Sequence, residues 1–259
     1  MKAKQQIQTV IPYPRTRLLM VDGGRLGRKK HTIHGLVEFD ITQTRAKIRQ
    51  YRIRTDEELS FSVFFAACLG KTIDQNKQMH AYRNWHNQLV IFDEVDVNML
   101  FEVEVDGIKT IRPHILRAVN RKSMSEIQGE IKDFKNGHQN SQESKFIERF
   151  VCLPGFLRRM FLWTLFIHPH LVKDYYGTVM LSSVSMFGTG SGWGIPVPNH
   201  TLQLTLGGMG NKPGVVGHRV EVREYLSVTI SFDHDVVDGA PAARFMQRLK
   251  KLVESGDGL

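Results

Sequence analysis

The chain has 259 residues, of which 41% are apolar, enough to build a packed core and to exclude wholesale disorder. A net charge of +9 suits an anionic partner, whether a nucleic acid, an acidic membrane surface or a phosphorylated small molecule, and does not choose among them. The two cysteines, Cys68 and Cys152, lie far apart without metal-ligand spacing, so neither a disulfide framework nor a metal site is expected.

Residues 1 to 30 form a basic approach segment, with Arg25, Arg28, Lys29 and Lys30 clustered, and read as a solvated loop. The first residues lack the apolar run of a signal peptide. His31–Ile41 alternates as a strand, and Thr42 is placed to cap a helix running to about Tyr51. Ser60 precedes Phe61–Ile73, a helix apolar nearly all the way round and therefore buried. Leu89–Phe92 and Val95–Val105 have strand composition.

Ser123 and Glu126 form a capping box, Ile127, Ile131 and Phe134 share a helix face, and Asn136-Gly137 stops it. His138–Lys145 is a surface loop without the character of a domain boundary, so residues 1–259 read as one domain. Phe146–Cys152 and Phe156–Phe166 make an apolar helical pair, broken at Pro154-Gly155 and assigned to the core or a subunit interface in preference to membrane-surface contact, which its arginines and tryptophan would also suit. The most apolar window, Phe156–Leu171, is too short and too interrupted by Arg158, Arg159, His168 and His170 to span a bilayer. A soluble, cytoplasmic protein without membrane contact is expected. Thr178–Met186, Thr201–Leu206, His218–Val222 and Tyr225–Asp233 are strands, and Pro241–Glu254 is an amphipathic helix. The absence of a regular strand–helix alternation predicts an α+β fold with a mixed sheet.

One constellation carries chemistry. His234 is followed four residues later by Asp238-Gly239, where the last strand ends and the last helix begins. A side chain at such a junction is rigidly held yet open to substrate. Histidine titrates near neutrality, so it can take a proton from a thiol or hydroxyl and return it to a leaving group. An aspartate can fix the local geometry, and Gly239 permits the tight turn.

The segment DHDVVDGAPAARFMQRLKKLVE resembles the C-terminal signature of the acyltransferase components of 2-oxo acid dehydrogenase complexes, in a superfamily that includes chloramphenicol acetyltransferase. GTVMLSSVSMFG (Gly177–Gly188), IRPHILRAVNRKSMSEIQGEI (Ile111–Ile131) and HTIHGLVEFDIT (His31–Thr42) are similar to further family segments in the same order. The resemblance implies a chloramphenicol acetyltransferase-like α+β fold, with a mixed sheet and flanking helices. It implies acyl transfer between coenzyme A and a dihydrolipoyl-type thiol, with His234 as general base. Ser182, which lies 52 positions before His234 (234 minus 182), would donate a hydrogen bond to the oxyanion. Asp238 would be structural, paired with an arginine for which Arg45 and Arg49 are candidates. The family site lies between subunits of a homotrimer, and neither a metal nor a nucleic-acid partner is implied.

Three features depart from the family pattern. Asp235 stands where an arginine follows the histidine, a negative charge that favours the imidazolium unless it points away. Met79-His80-Ala81 replaces a motif bearing an asparagine. No lipoyl or subunit-binding segment is recognisable in these residues, so either the lipoyl group is supplied in trans on a separate protein or the acceptor is another small molecule. A non-catalytic trimeric scaffold is the alternative reading. The glycine-rich stretch Gly188–Asn199 reads as a loop needing glycine dihedrals, and it lacks the ending of a phosphate-binding P-loop.

Overall fold

The computed structural model describes residues 9–15, 17–105, 108–136, 149–184 and 190–259. Its centre is a six-stranded sheet in the order β1-β8-β7-β6-β4-β5. These strands are β1 (Thr32–Asp40), β4 (Val97–Val105), β5 (Ile108–Leu116), β6 (Val179–Ser183), β7 (Leu202–Val216) and β8 (Arg219–Asp233). β6 runs parallel to both β4 and β7, whereas β8 runs antiparallel to both of its neighbours, β1 and β7, so the sheet is mixed as expected. A separate two-stranded ribbon pairs β2 (Tyr82–Arg83) with β3 (Leu89–Val90).

Period-two alternation puts Leu226, Val228, Ile230 and Phe232 on one face of β8, and all four are buried in the core. That core also takes in helix α3 (Phe61–Asp74) and helix α7 (Gly239–Ser255). α3 is apolar on every side because it is buried on nearly every side, and Ser60 caps it by accepting from the Val63 N–H. α7 buries Ala242, Phe245, Leu249 and Val253, with Phe245 packed edge-on against Phe232 at a centroid distance of 6.0 Å. This contact clamps the last helix to the last strand. Phe245→Ala is accordingly expected to cost about 3–5 kcal/mol, read as a lowered urea midpoint with an unchanged slope.

The capping box forms at α4 (Met124–Asn136): the Ser123 N–H donates to the Glu126 carboxylate at 2.7 Å, and the Glu126 N–H to Ser123 Oγ at 3.3 Å. Other boundaries differ from expectation. The cap of α2 (Thr42–Thr55) is Ile41, because the Thr42 hydroxyl instead accepts the Glu224 N–H and ties the helix to β8. Within the basic approach segment, Arg17–Gly27 is a helix, α1, fastened by the buried Asp22 carboxylate to Arg158. Part of Ile111–Ile131 is strand, because Ile111–Leu116 belong to β5, which pairs antiparallel with β4. β7 and β8 extend well beyond their apolar cores as one long hairpin, so His218–Val222 and Tyr225–Asp233 belong to a single element.

The largest difference concerns α5 (Gly155–Ile167), where only Arg158 and Leu165 are buried. This apolar helix joins only a small second core cluster, through Leu165 and Phe166 against Tyr82, Phe92 and Val172, and leaves much of its apolar surface exposed. A short helix, α6 (Pro169–Tyr176), follows it. His138–Lys145 and the start of Phe146–Cys152 lie outside the described residues.

Candidate active site

At the end of β8, Asp233 ties off the strand. Its N–H donates to Thr201 O at 2.9 Å, its carbonyl accepts the Val236 and Val237 N–H groups at 3.0 Å, and its carboxylate accepts the Asp235 N–H at 3.2 Å. The same buried carboxylate receives the Lys30 ammonium, which also lies 5.9 Å from the centre of the Tyr82 ring. Val237, buried in the core, pins the other side of the turn. His234 is therefore held by its backbone, with its N–H donating to His31 O at 2.7 Å, while its side chain faces solvent. Among the described residues its ring makes no hydrogen bond or ion pair.

Asp238 is the N-cap of α7 with extended backbone (φ −78°, ψ 163°), yet its side chain does not cap the helix. It is exposed and has no ion-pair partner among the described residues. The expected arginine pairing is not made among the described residues of one copy: Arg45 lies 3.3 Å from Glu224, and Arg49 is exposed. Asp235 is diverted from the base, because its carboxylate meets His31 Nδ1 at 2.9 Å. That hydrogen bond holds the Asp235 carboxyl below its ordinary value.

Ser182 sits in β6 opposite Thr205 of β7, which in turn faces Thr229 of β8. The three hydroxyls form a row on the face of the sheet away from Ile230 and α7. The Thr205, Thr229 and Ser227 hydroxyls are buried without a hydrogen-bond partner among the described residues. His234 lies five residues beyond Thr229. Two inter-strand steps and five residues of rise put Ser182 and His234 on the order of 19 Å apart. One copy of the chain does not bring them together.

The glycine-rich stretch is described from residue 190 onward and packs on a bulge in β7. A Cβ at Gly207 would come within 2.2 Å of Gly192 O, and one at Gly208 within 2.1 Å of Gly190 O. These glycines let two backbones touch, which is the structural reading of the stretch.

Sequence reasoning missed two buried histidines. His80 lies with Nδ1 3.0 Å from Thr178 Oγ1 and Nε2 3.1 Å from Phe92 O. His200 stacks on Tyr176 and lies 3.0 Å from its carbonyl, leaving Nδ1 unpartnered. Burial lowers both pKa values to about 4. The folded state therefore binds these protons less readily than the unfolded chain. Their stabilisation is complete above the unfolded value of about 6.5 and is lost as pH falls towards 4, by about 3 kcal/mol per ring at most. Urea midpoints measured from pH 7 to 4 should fall over that window, and His200→Gln should flatten the slope.

Cys68 is buried, its thiol pushed up to about 12 by desolvation, which suits packing and not nucleophilic attack. His168 and His170 have separate partners, the Thr164 carbonyl and the Phe92 ring.

Residues 170–259 match the model of the 2-oxoacid dehydrogenases acyltransferase (catalytic domain) family. The chain is 33% identical over 78 residues to the human mitochondrial dihydrolipoyllysine-residue succinyltransferase component of the 2-oxoglutarate dehydrogenase complex, an alignment covering 30% of this chain and 17% of that protein. Its fold matches a dihydrolipoamide acetyltransferase of Azotobacter vinelandii with a TM-score of 0.72 at 17% identity, over 97% of this chain and 93% of that one. It also matches a chloramphenicol acetyltransferase with a TM-score of 0.51 at 11% identity, over 97% and 98% of the two chains. Residues 170–259 thus resemble the catalytic domains of the 2-oxoacid dehydrogenase acyltransferases in sequence, and nearly the whole chain is similar in fold to a solved member of that group.

Proposed function

We propose that this protein transfers an acyl group between coenzyme A and a thiol of the dihydrolipoyl type, at sites assembled between copies of the chain. The observation that carries the reading is the sheet register: it separates Ser182 and His234 within one copy while leaving the His234 ring open to a neighbour. In the Azotobacter protein a serine, a histidine and an asparagine have been investigated for roles in the catalytic mechanism, the serine 52 positions before the histidine and the asparagine four after it. Ser182, His234 and Asp238 have the same spacing, with a carboxylate in place of the carboxamide.

In the proposed reaction His234 accepts the proton of the attacking thiol, and the thiolate adds to the thioester carbonyl. Ser182 of an adjacent copy donates a hydrogen bond to the resulting oxyanion. Collapse breaks the original carbon–sulfur bond, and the departing thiolate recovers the proton from His234. No acyl-enzyme forms, in keeping with the inert environment of Cys68. A trimer or multiple of trimers is the proposed assembly, with the lipoyl group brought by a separate protein.

The scaffold alternative loses its main support, since the Asp235 carboxylate is engaged by His31. The test is release of free coenzyme A from acetyl-, succinyl- and branched acyl-CoA with dihydrolipoamide as acceptor. Acceptor-dependent release with at least one donor is expected, and none with any donor would leave the scaffold reading.

A further inference from the structure

The positive charge of this protein is concentrated on one face. Residues 9–30 and 149–172 hold nine of the 35 Lys and Arg residues and only one of the 26 Asp and Glu residues, so the remainder carries 26 and 25. The two segments pack together. Arg158 Nε donates to the Asp22 carboxylate at 2.9 Å, and Arg158 Nη1 donates to the Val151 and Leu153 carbonyls at 3.3 and 2.7 Å. The one acidic group is thereby buried and neutralised, while Arg25, Arg28, Lys29 and Arg159 stay exposed.

On the same face α5 is turned inside out. At 3.6 residues per turn, Phe156, Met160 and Trp163 lie opposite the buried Arg158 and Leu165. They are 62%, 58% and 55% exposed, and Met20 of α1 is exposed nearby in sequence to Asp22. Between the two helices is a cleft of about 420 Å³ whose lining includes Arg25, Lys29, Arg159, Met160 and Trp163, together with Asp22, whose carboxylate is paired with Arg158. Leaving so much apolar surface in water opposes folding unless something covers it.

We propose that this face docks on an anionic lipid surface, with α5 lying in the headgroup layer. Phe156, Met160 and Trp163 would enter the acyl boundary, and Arg25, Lys29 and Arg159 would meet lipid phosphates. Protruding aromatic and aliphatic side chains flanked by cations match a layer that is apolar beneath and anionic above. The 13 residues of α5 are about 20 Å long, too short to cross a bilayer. Two copies meeting through this face would oppose like charges, which disfavours self-association there.

The test is co-sedimentation of the full chain with phosphatidylglycerol–phosphatidylcholine vesicles and with pure phosphatidylcholine vesicles. Binding to the anionic vesicles is expected, weakening with salt, together with a blue shift of Trp163 emission when Trp85 and Trp193 are replaced by Phe. Each basic residue near the surface contributes about fivefold to partitioning, so Arg25→Gln/Lys29→Gln/Arg159→Gln should reduce it on the order of a hundredfold. Phe156→Ser/Trp163→Ser should also release the protein, with coenzyme A release and sedimentation in solution unchanged. Failure to bind anionic vesicles at low salt would overturn the proposal. So would undiminished binding by the Phe156/Trp163 variant, equal capture by soluble polyglutamate, or loss of the solution assembly in either variant. Because the activity assay is separate, none of these outcomes bears on acyl transfer.

Discussion

Replacing His234 with alanine is expected to slow coenzyme A release by about 10²–10⁴-fold, the usual contribution of a positioned general base. The fold should not respond. The ring is exposed and bonds to nothing among the described residues, and its position is set by backbone contacts that alanine keeps. Such surface changes ordinarily stay within about ±0.5 kcal/mol. The urea midpoint and sedimentation coefficient of the variant should therefore equal those of wild type. Equal rates in the two proteins would remove His234 from the chemistry and favour the scaffold reading. Asp235→Asn sharpens the test. Because that carboxylate faces His31, removing its charge should change the rate far less than removing His234.

The elements most legible in the sequence were those whose own pattern decides their fate. Phe61–Ile73 is apolar on all sides and has one place to go, and the Ser123–Glu126 box writes the helix start into the chain. The His234–Gly239 junction was legible because its strand and helix each have a clear period. What could not be read depends on partners distant in sequence. α1 contains the Gly23-Gly24 pair and few core residues, and its order rests on Asp22 meeting Arg158, 136 positions away. α5 looked like core because it is apolar, but apolarity states only that a surface seeks cover, not where the cover comes from. The role of His80 was hidden for the same reason, since Thr178 and Phe92 reach it through the tertiary fold. For the site, sequence similarity supplied Ser182 and His234 as a pair shared between neighbouring subunits, and the strand register gives the physical reason, since it holds the two far apart within one chain.

That separation leads to the most discriminating experiment. Ser182→Ala alone should lower the rate by about 10²–10³-fold, as expected for loss of one oxyanion donor. Mixed with His234→Ala by co-expression or joint refolding, it should partly recover. If each site takes its histidine from one copy and its serine from the next, a random equal mixture leaves about one quarter of the sites with both residues intact. The mixture should then show about a quarter of wild-type activity, although each parent alone is nearly inactive. Were both residues drawn from one chain, every chain in the mixture would lack one of them and no activity would return. The strand register argues against that outcome, because bringing Ser182 to His234 within a copy would require β6 to slide five residues along β7. A slip by an odd number of residues would also turn Leu181 outward and Ser182 into the core, at the cost of the whole buried face of the strand. Recovery on mixing therefore tests the shared site directly, and its size measures how freely the copies exchange during assembly.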